Sequence, residues 1–155
     1  MHGKIIDIYV YPQAGSKGIA KPTIQLVAQA GIVGDRYYNR DGTFSKEQIK
    51  AKQEITFIES EKIDDFNKEN NCNLDYVALR RNVITEKVNL NDLVGKEFSF
   101  GTQKFAGIEL CEPCAYLAKT VEPKLLPAMV GKAGLRARII NDGALNNHDK
   151  FSLIQ

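Results

Sequence analysis

The chain has 155 residues, 43% hydrophobic and 26% charged, with a net charge of +2 and three cysteines. That length can bury a core without disulfides or a structural metal, and no apolar run approaches the roughly 18 residues a membrane span needs. A charge this close to balance gives no ground for nucleic acid as the partner, and an odd cysteine count argues against a disulfide framework and for a reducing compartment. The expectation is one soluble, cytoplasmic domain over 1–155 with no membrane association. Its opening "MHGKIIDIYVYPQAG" alternates in polarity and lacks a basic n-region, so it does not read as a signal peptide.

In chain order, "KIIDIYVYP" predicts a strand closed by Pro12, and "AGSKG" a turn. "PTIQLVAQAGIVGDRYY" predicts a second strand running into a glycine turn. The polar stretch 39–53 reads either as a lid or as a surface excursion, and Ser45 with Gln48 forms a capping-box signal for a short helix inside it. "QEITFIES" predicts a strand, followed by an amphipathic helix, "SEKIDDFNKENN", with Ser60 as its N-cap and Ile63 and Phe66 on its apolar face.

"YVALRRNVIT" is strand-like, "NLNDLVGKEFSFG" is a turn leading to a short strand, and "QKFAGIELC" is another strand that Pro113 ends. Two short helices, in "AYLAKTV" and "PKLLPAMVGKAG", precede a closing hairpin of "LRARIINDG" with "KFSLIQ". Strands outnumber helices and do not alternate with them as parallel βαβ units would. The predicted class is therefore mainly β, a closed or nearly closed β-barrel with a few short appended helices.

The cysteines carry the first chemical signal. Cys111-Glu112-Pro113-Cys114 is half of a zinc site, a redox pair, or a frame around one working thiolate. Zinc needs four ligands, and beyond this pair only Cys72, His2 and His148 exist, with no second pair at ligand spacing. A strand-to-helix CxxC suits redox chemistry, with Cys114 nearer the helix start, but the βαβ setting of a thioredoxin-like fold is missing. Cys111 lies in phase with the preceding strand and also reads as a core residue.

Other stretches could bind ligand. "GIVGDRY" sets two glycines before Asp35 and Arg36, either a strand-ending turn with a local ion pair or a close approach to a ligand. Strand alternation in "RRNVIT" puts Arg81 on one face and Arg80 with Asn82 on the other. That segment is either an edge strand in water or a source of arginine for an anionic ligand. Arg136 and Arg138 share a face that is either solvent or the wall of a basic pocket.

Taken in order, "GIVGDRY", "ITFIESE", "RRNVIT…LNDLVGKEFSFG", "ELCEPC" and "GLRARIINDG" resemble the MOSC family, named for the C-terminal domain of molybdenum-cofactor sulfurase, from about Gly31 onward. The resemblance implies a β-barrel that binds the pterin-based molybdenum cofactor or carries sulfur through one cysteine. It further implies reduction of N-hydroxylated compounds, a small-molecule substrate and a separate electron-donor protein. The family cysteine carries over to Cys114 as metal ligand and catalytic residue. Arg36, Arg81, Asn82 and Arg136 carry over as donors to the cofactor, and Asp35 would orient Arg36 or accept from the pterin amine.

Two positions depart from the family pattern. Tyr37 stands where a histidine commonly follows the "GDR" turn, which bears on substrate chemistry, and His148-Asp149 replaces a "GD" turn. Two other readings remain: a sulfur carrier holding a persulfide on Cys114 that Cys111 resolves, and a non-catalytic module for an anionic ligand.

Overall fold

The computed structural model describes residues 3–39 and 53–155. The elements in chain order are β1 (Lys4–Val10), β2 (Ile19–Ala20), β3 (Thr23–Val27), β4 (Gly31–Ile32), α1 (Arg36–Asn39), β5 (Ile55–Glu59), α2 (Ser60–Asn70), β6 (Val83–Glu86), β7 (Glu97–Phe100), β8 (Gln103–Leu110), α3 (Ala115–Thr120), α4 (Leu125–Ala128), β9 (Leu135–Ile139), β10 (Gly143–Asn146) and β11 (Phe151–Leu153). Single 3-10 turns occupy Tyr76–Leu79 and Leu90–Leu93. The helix expected around Ser45 lies outside the described residues.

The fold is mainly β, and its eight-stranded sheet runs β11-β7-β8-β9-β5-β6-β1-β2. A smaller sheet, β10-β3-β4, packs beside it. The large sheet curls into a half-barrel and does not fully close, which cuts the expected closed or nearly closed barrel back to a half-barrel. Its first and seventh strands in spatial order meet through one bridge, Lys4 to Lys150, where Ile5 N donates to Asp149 O at 3.0 Å and Phe151 N donates to Gly3 O at 2.9 Å. A three-residue β11 and a bulge in β1 between Ile5 and Asp7 allow no longer ladder.

The concave face is filled by Phe57, Phe98, Phe100 and Phe105, each fully buried. Period-two alternation in "EFSF" puts Phe98 and Phe100 together on that face. On the other face Ile58 and Ile84 pack with Ile63 and Phe66 of α2, Leu117 of α3, and Leu125 and Met129 around α4. Strands β5 and β6 are thus covered on both sides, so their apolar runs are continuous where a half-exposed strand would alternate. They are also parallel, Phe57 opposite Val83, with α2 in the connection between them. The chain therefore holds one βαβ unit that its strand-rich pattern did not announce.

Three local expectations change. Glu59, not Ser60, is the N-cap of α2, and no side chain caps that helix; the Ser60 hydroxyl lies 3.4 Å from Glu61 Oε1. The start of "YVALRRNVIT" is a 3-10 turn that ends in Arg80 at φ +62°. The closing hairpin does not form. Strand β9 pairs with β8 and β5, β10 with β3, and β11 with β7. The turn between β9 and β10 is tied to both sheets, since Asn141 Oδ1 accepts Lys104 N at 2.8 Å and Asp142 Oδ1 accepts Ala28 N at 2.7 Å. That pins the crossing from one sheet to the other.

Candidate functional site

A cleft of about 230 Å³ opens among the loop after β1, the turn into α1, the start of β6, strand β9 and the N-terminus of α3. Asp35, Arg36, Arg81, Asn82, Cys114 and Arg136 all line it, although they come from four separate segments of the chain. Arg80 lines it as well. Strand alternation would have sent Arg80 to the opposite side of Arg81; the left-handed backbone of Arg80 breaks the alternation and turns both guanidiniums toward the cleft. A non-glycine residue in that region costs about 1 kcal/mol. Arg80 N bonds to Val77 O at 3.1 Å and its Nη1 to Ser16 O, contacts that hold the conformation.

The "GDR" turn positions the acid. Gly34 takes φ +91°, a conformation open to glycine, and the next residue, Asp35, is buried with 2% exposure. Asp35 Oδ1 accepts Tyr11 N at 2.9 Å and lies 3.5 Å from Asn82 Nδ2. Burial pushes its carboxyl above the ordinary range, opposed by the Tyr11 and Tyr37 backbone N–H groups, the Arg36 charge and the Asn82 amide.

The Asn82 amide is itself engaged within the protein. Its Nδ2 also reaches Tyr9 O at 3.2 Å, and its Oδ1 accepts Thr56 N and Thr56 Oγ1, both at 3.1 Å. Asn82 therefore ties β1, β5 and Asp35 together at the cleft floor.

Arg81 is 8% exposed. Its Nε donates to Ala133 O at 2.8 Å and its Nη1 to Leu79 O at 3.0 Å. Among the described residues no carboxylate pairs with it. Burial pushes its basicity down, and the largest opposing influence comes from Cys111, with Cys114 also contributing. Cys111 is fully buried, its backbone N held by Gly134 O at 2.8 Å, and burial pushes its thiol pKa up against the Arg81 and Arg136 charges. Gly134 has to be glycine here, because a Cβ would run into the Phe57 carbonyl. Cys114 is exposed at the N-cap of α3. Arg136, opposite Glu109 across β8 and β9, approaches it at 4.0 Å, while its face-mate Arg138 is turned to solvent.

Tyr11 organises the arginines, a role that sequence reading missed. It is 1% exposed, and its hydroxyl donates to Arg81 O at 3.1 Å. The Arg80 and Arg36 guanidiniums lie 4.6 and 5.6 Å from its ring centroid. The ring's electron-rich faces attract both cations and hold like charges near each other. Arg36 also stacks 4.5 Å over Tyr37, so the residue that replaces the family's histidine serves as an arginine platform.

Tyr11→Phe is expected to lose only the hydroxyl bond, about 1 kcal/mol. Tyr11→Leu should also remove the ring from Arg80, moving its ring-shifted side-chain signals in NMR spectra toward random-coil positions, while Arg36 keeps the shift it takes from Tyr37. Unchanged signals in the Leu variant would remove the platform role.

A MOSC domain profile matches residues 39–152. A search of curated proteins finds no match. Among solved structures the chain is similar to the YUAD protein from Bacillus subtilis, with 17% identity, 97% of this chain and 94% of that one covered, and a TM-score of 0.79. It is also similar to YiiM from Geobacillus stearothermophilus, at 18% identity with 99% and 75% covered and a TM-score of 0.76. For YiiM from Escherichia coli the values are 16%, 100% and 70%, and 0.69. At these identities the likeness is one of fold.

Proposed function

The chain belongs to the MOSC domain family, and on that premise we propose that its cleft holds the pterin-based molybdenum cofactor with Cys114 as the protein ligand. The observation that carries this reading is Arg81, a buried guanidinium with no carboxylate partner among the described residues, which lines with Cys114 a cleft that also takes in Arg36, Arg80 and Arg136. The donor set fits the group. Guanidinium forks suit a phosphate, a buried carboxylate suits an amino group on a pterin, and a soft thiolate suits molybdenum.

When bound, the cofactor would supply oxygen-atom transfer for reducing N-hydroxylated compounds, with electrons from a separate donor protein. The chain's own residues bind and orient. Arg36, Arg81 and Arg136 would hold the anionic and polar groups, and Asp35 would accept from the pterin amine or fix Arg36. Asn82 would act through Asp35, since its amide is already bonded within the protein. Leu79 and Leu117 add an apolar wall to the cleft. We place this activity in a single cytoplasmic domain of 1–155.

The runner-up reading is a sulfur carrier, favoured by Cys111 standing three residues from Cys114. The test is elemental analysis on protein from a host that makes the cofactor. Wild type and Cys111→Ser are expected to carry molybdenum near one per chain and Cys114→Ser none. Wild type without metal but with a persulfide on Cys114 by mass spectrometry, lost or trapped in Cys111→Ser, would favour the carrier. Loss of neither metal nor an anionic ligand in Cys114→Ser would leave a non-catalytic binding module.

A further inference from the structure

Of the three thiols, one is open to solvent. Cys111 is fully buried, and the half-buried Cys72 donates to Asn70 O at 3.4 Å and to Glu122 Oε1 at 3.5 Å. Cys114 is exposed and opens on the cleft. Arg36, Arg80, Arg81 and Arg136 line that cleft with it, and Asp35 is the single acid among the lining residues. The Asp35 carboxylate is turned into the protein, onto Tyr11 N. The half-exposed Glu109, which is not part of the lining, approaches Arg136 at 4.0 Å.

Two guanidinium nitrogens of this group have no protein partner. Arg80 Nη2 is buried and makes no hydrogen bond among the described residues. Arg81, 8% exposed, spends its Nε and Nη1 on Ala133 O and Leu79 O, while its Nη2 makes no bond among the described residues. Buried donors left unpaired are costly, and an anion entering the cleft would satisfy them. The exposed sulfur of Cys114 therefore stands at the mouth of a site that selects for negative charge.

We propose that Cys114 is a site of reversible mixed-disulfide formation with an acidic low-molecular-weight thiol, whose carboxylates the cleft arginines hold. The step is thiol–disulfide exchange. The Cys114 sulfur gives its proton to solvent and attacks the disulfide form of the small thiol; that molecule's S–S bond breaks, a new one to Cys114 forms, and the other half leaves as a thiolate. Cys114 is oxidised and the departing half reduced, so the small disulfide is the only oxidant needed. An excess of the reduced thiol reverses the step. The adduct would cover the sulfur that ligates molybdenum and set carboxylates where the cofactor's phosphate binds, a removable cap that keeps the cofactor out. That consequence rests on the cofactor reading above; the modification itself does not.

The test sets two disulfides of opposite charge, glutathione disulfide and cystamine, against the full chain, with an uncharged cysteine peptide in the same solution as reference. Peptide mass spectrometry reads the rate at Cys114 separately from Cys72, and molybdenum content is assayed in parallel. The glutathione-to-cystamine rate ratio at Cys114 is expected to exceed that of the peptide about tenfold or more at low salt, and to fall toward it by about 0.5 M salt. Inorganic phosphate should slow glutathionylation of Cys114 and leave the peptide unaffected. Arg36→Gln with Arg136→Gln should lower the Cys114 ratio about threefold or more at an unchanged melting temperature. A ratio no higher than the peptide's, or one that ignores the arginine pair, overturns the inference, as does a Cys114 that neither disulfide modifies. Anionic preference at Cys114 in protein that never takes up molybdenum keeps the modification and sinks the cofactor reading. Molybdenum bound through Cys114, with no such preference once the metal is removed, does the reverse.

Discussion

Arg81→Gln is expected to reduce cofactor or phosphate binding by 100-fold or more, about 2.8 kcal/mol at about 1.4 kcal/mol per tenfold. Among the arginines that line the cleft Arg81 is the buried one, and glutamine has neither its charge nor its fork. The same change removes the bonds to Ala133 O and Leu79 O. Leaving buried carbonyls unsatisfied costs about 1–3 kcal/mol. Arg81→Lys separates the two effects, because it keeps the charge and loses the planar pair of donors. Molybdenum content, inorganic phosphate titration and thermal unfolding of the three proteins give the answer. If the Gln variant binds ligand like wild type, Arg81 is a structural residue and the carrying observation for the cofactor is gone.

Phe57→Ala should have the largest effect on stability. Its ring is 5.1 Å from Phe105 and 5.5 Å from Phe98 in edge-on geometry and stacks on Phe100 at 5.6 Å. It also sits on β5, the strand that joins β9 to β6. Truncating a buried Phe costs about 3–5 kcal/mol, a large part of the roughly 5–15 kcal/mol that holds a domain folded. At about 2–4 °C per kcal/mol for a chain of this size, the melting temperature should fall by about 6–20 °C. Phe57→Leu preserves most of the volume and should cost less than half as much. Thermal unfolding followed by circular dichroism checks this, and a loss under about 1 kcal/mol would show that the aromatic cluster repacks freely around the gap.

Both experiments address positions whose importance was unequally legible. Phe57 sits in "ITFIE", an apolar run bounded by polar residues, and a strand of buried character follows from that pattern. Arg81 was legible only as one of two neighbouring arginines, with alternation as the guide to which faced inward. Alternation failed because Tyr76–Leu79 coils into a 3-10 turn and Arg80 takes a positive φ. Local polarity patterns carry no signal for that choice; the Tyr11 ring and the Ser16 carbonyl, both distant in sequence, stabilise it. Tyr11 itself looked like the end of a strand before Pro12. Its role depends on what the chain brings to it from Asp35, Arg36, Val77 and Arg81.

By itself the sequence determined the strand-rich class, the positions of most strands and the short helices after Pro113, and it offered a core place for Cys111 as one of its readings. These are consequences of side-chain period and local breakers, which act over a few residues. The order of its motifs also led to the MOSC family, which the profile match over 39–152 bears out. Tertiary structure alone decided that the sheet curls without closing, that β5 and β6 pair in parallel, and that β9 and β10 part into different sheets. It alone decided that both arginines of the pair reach one cleft with Cys114. Those outcomes are set by contacts between residues far apart in the chain, whose closure entropy and packing no local window contains.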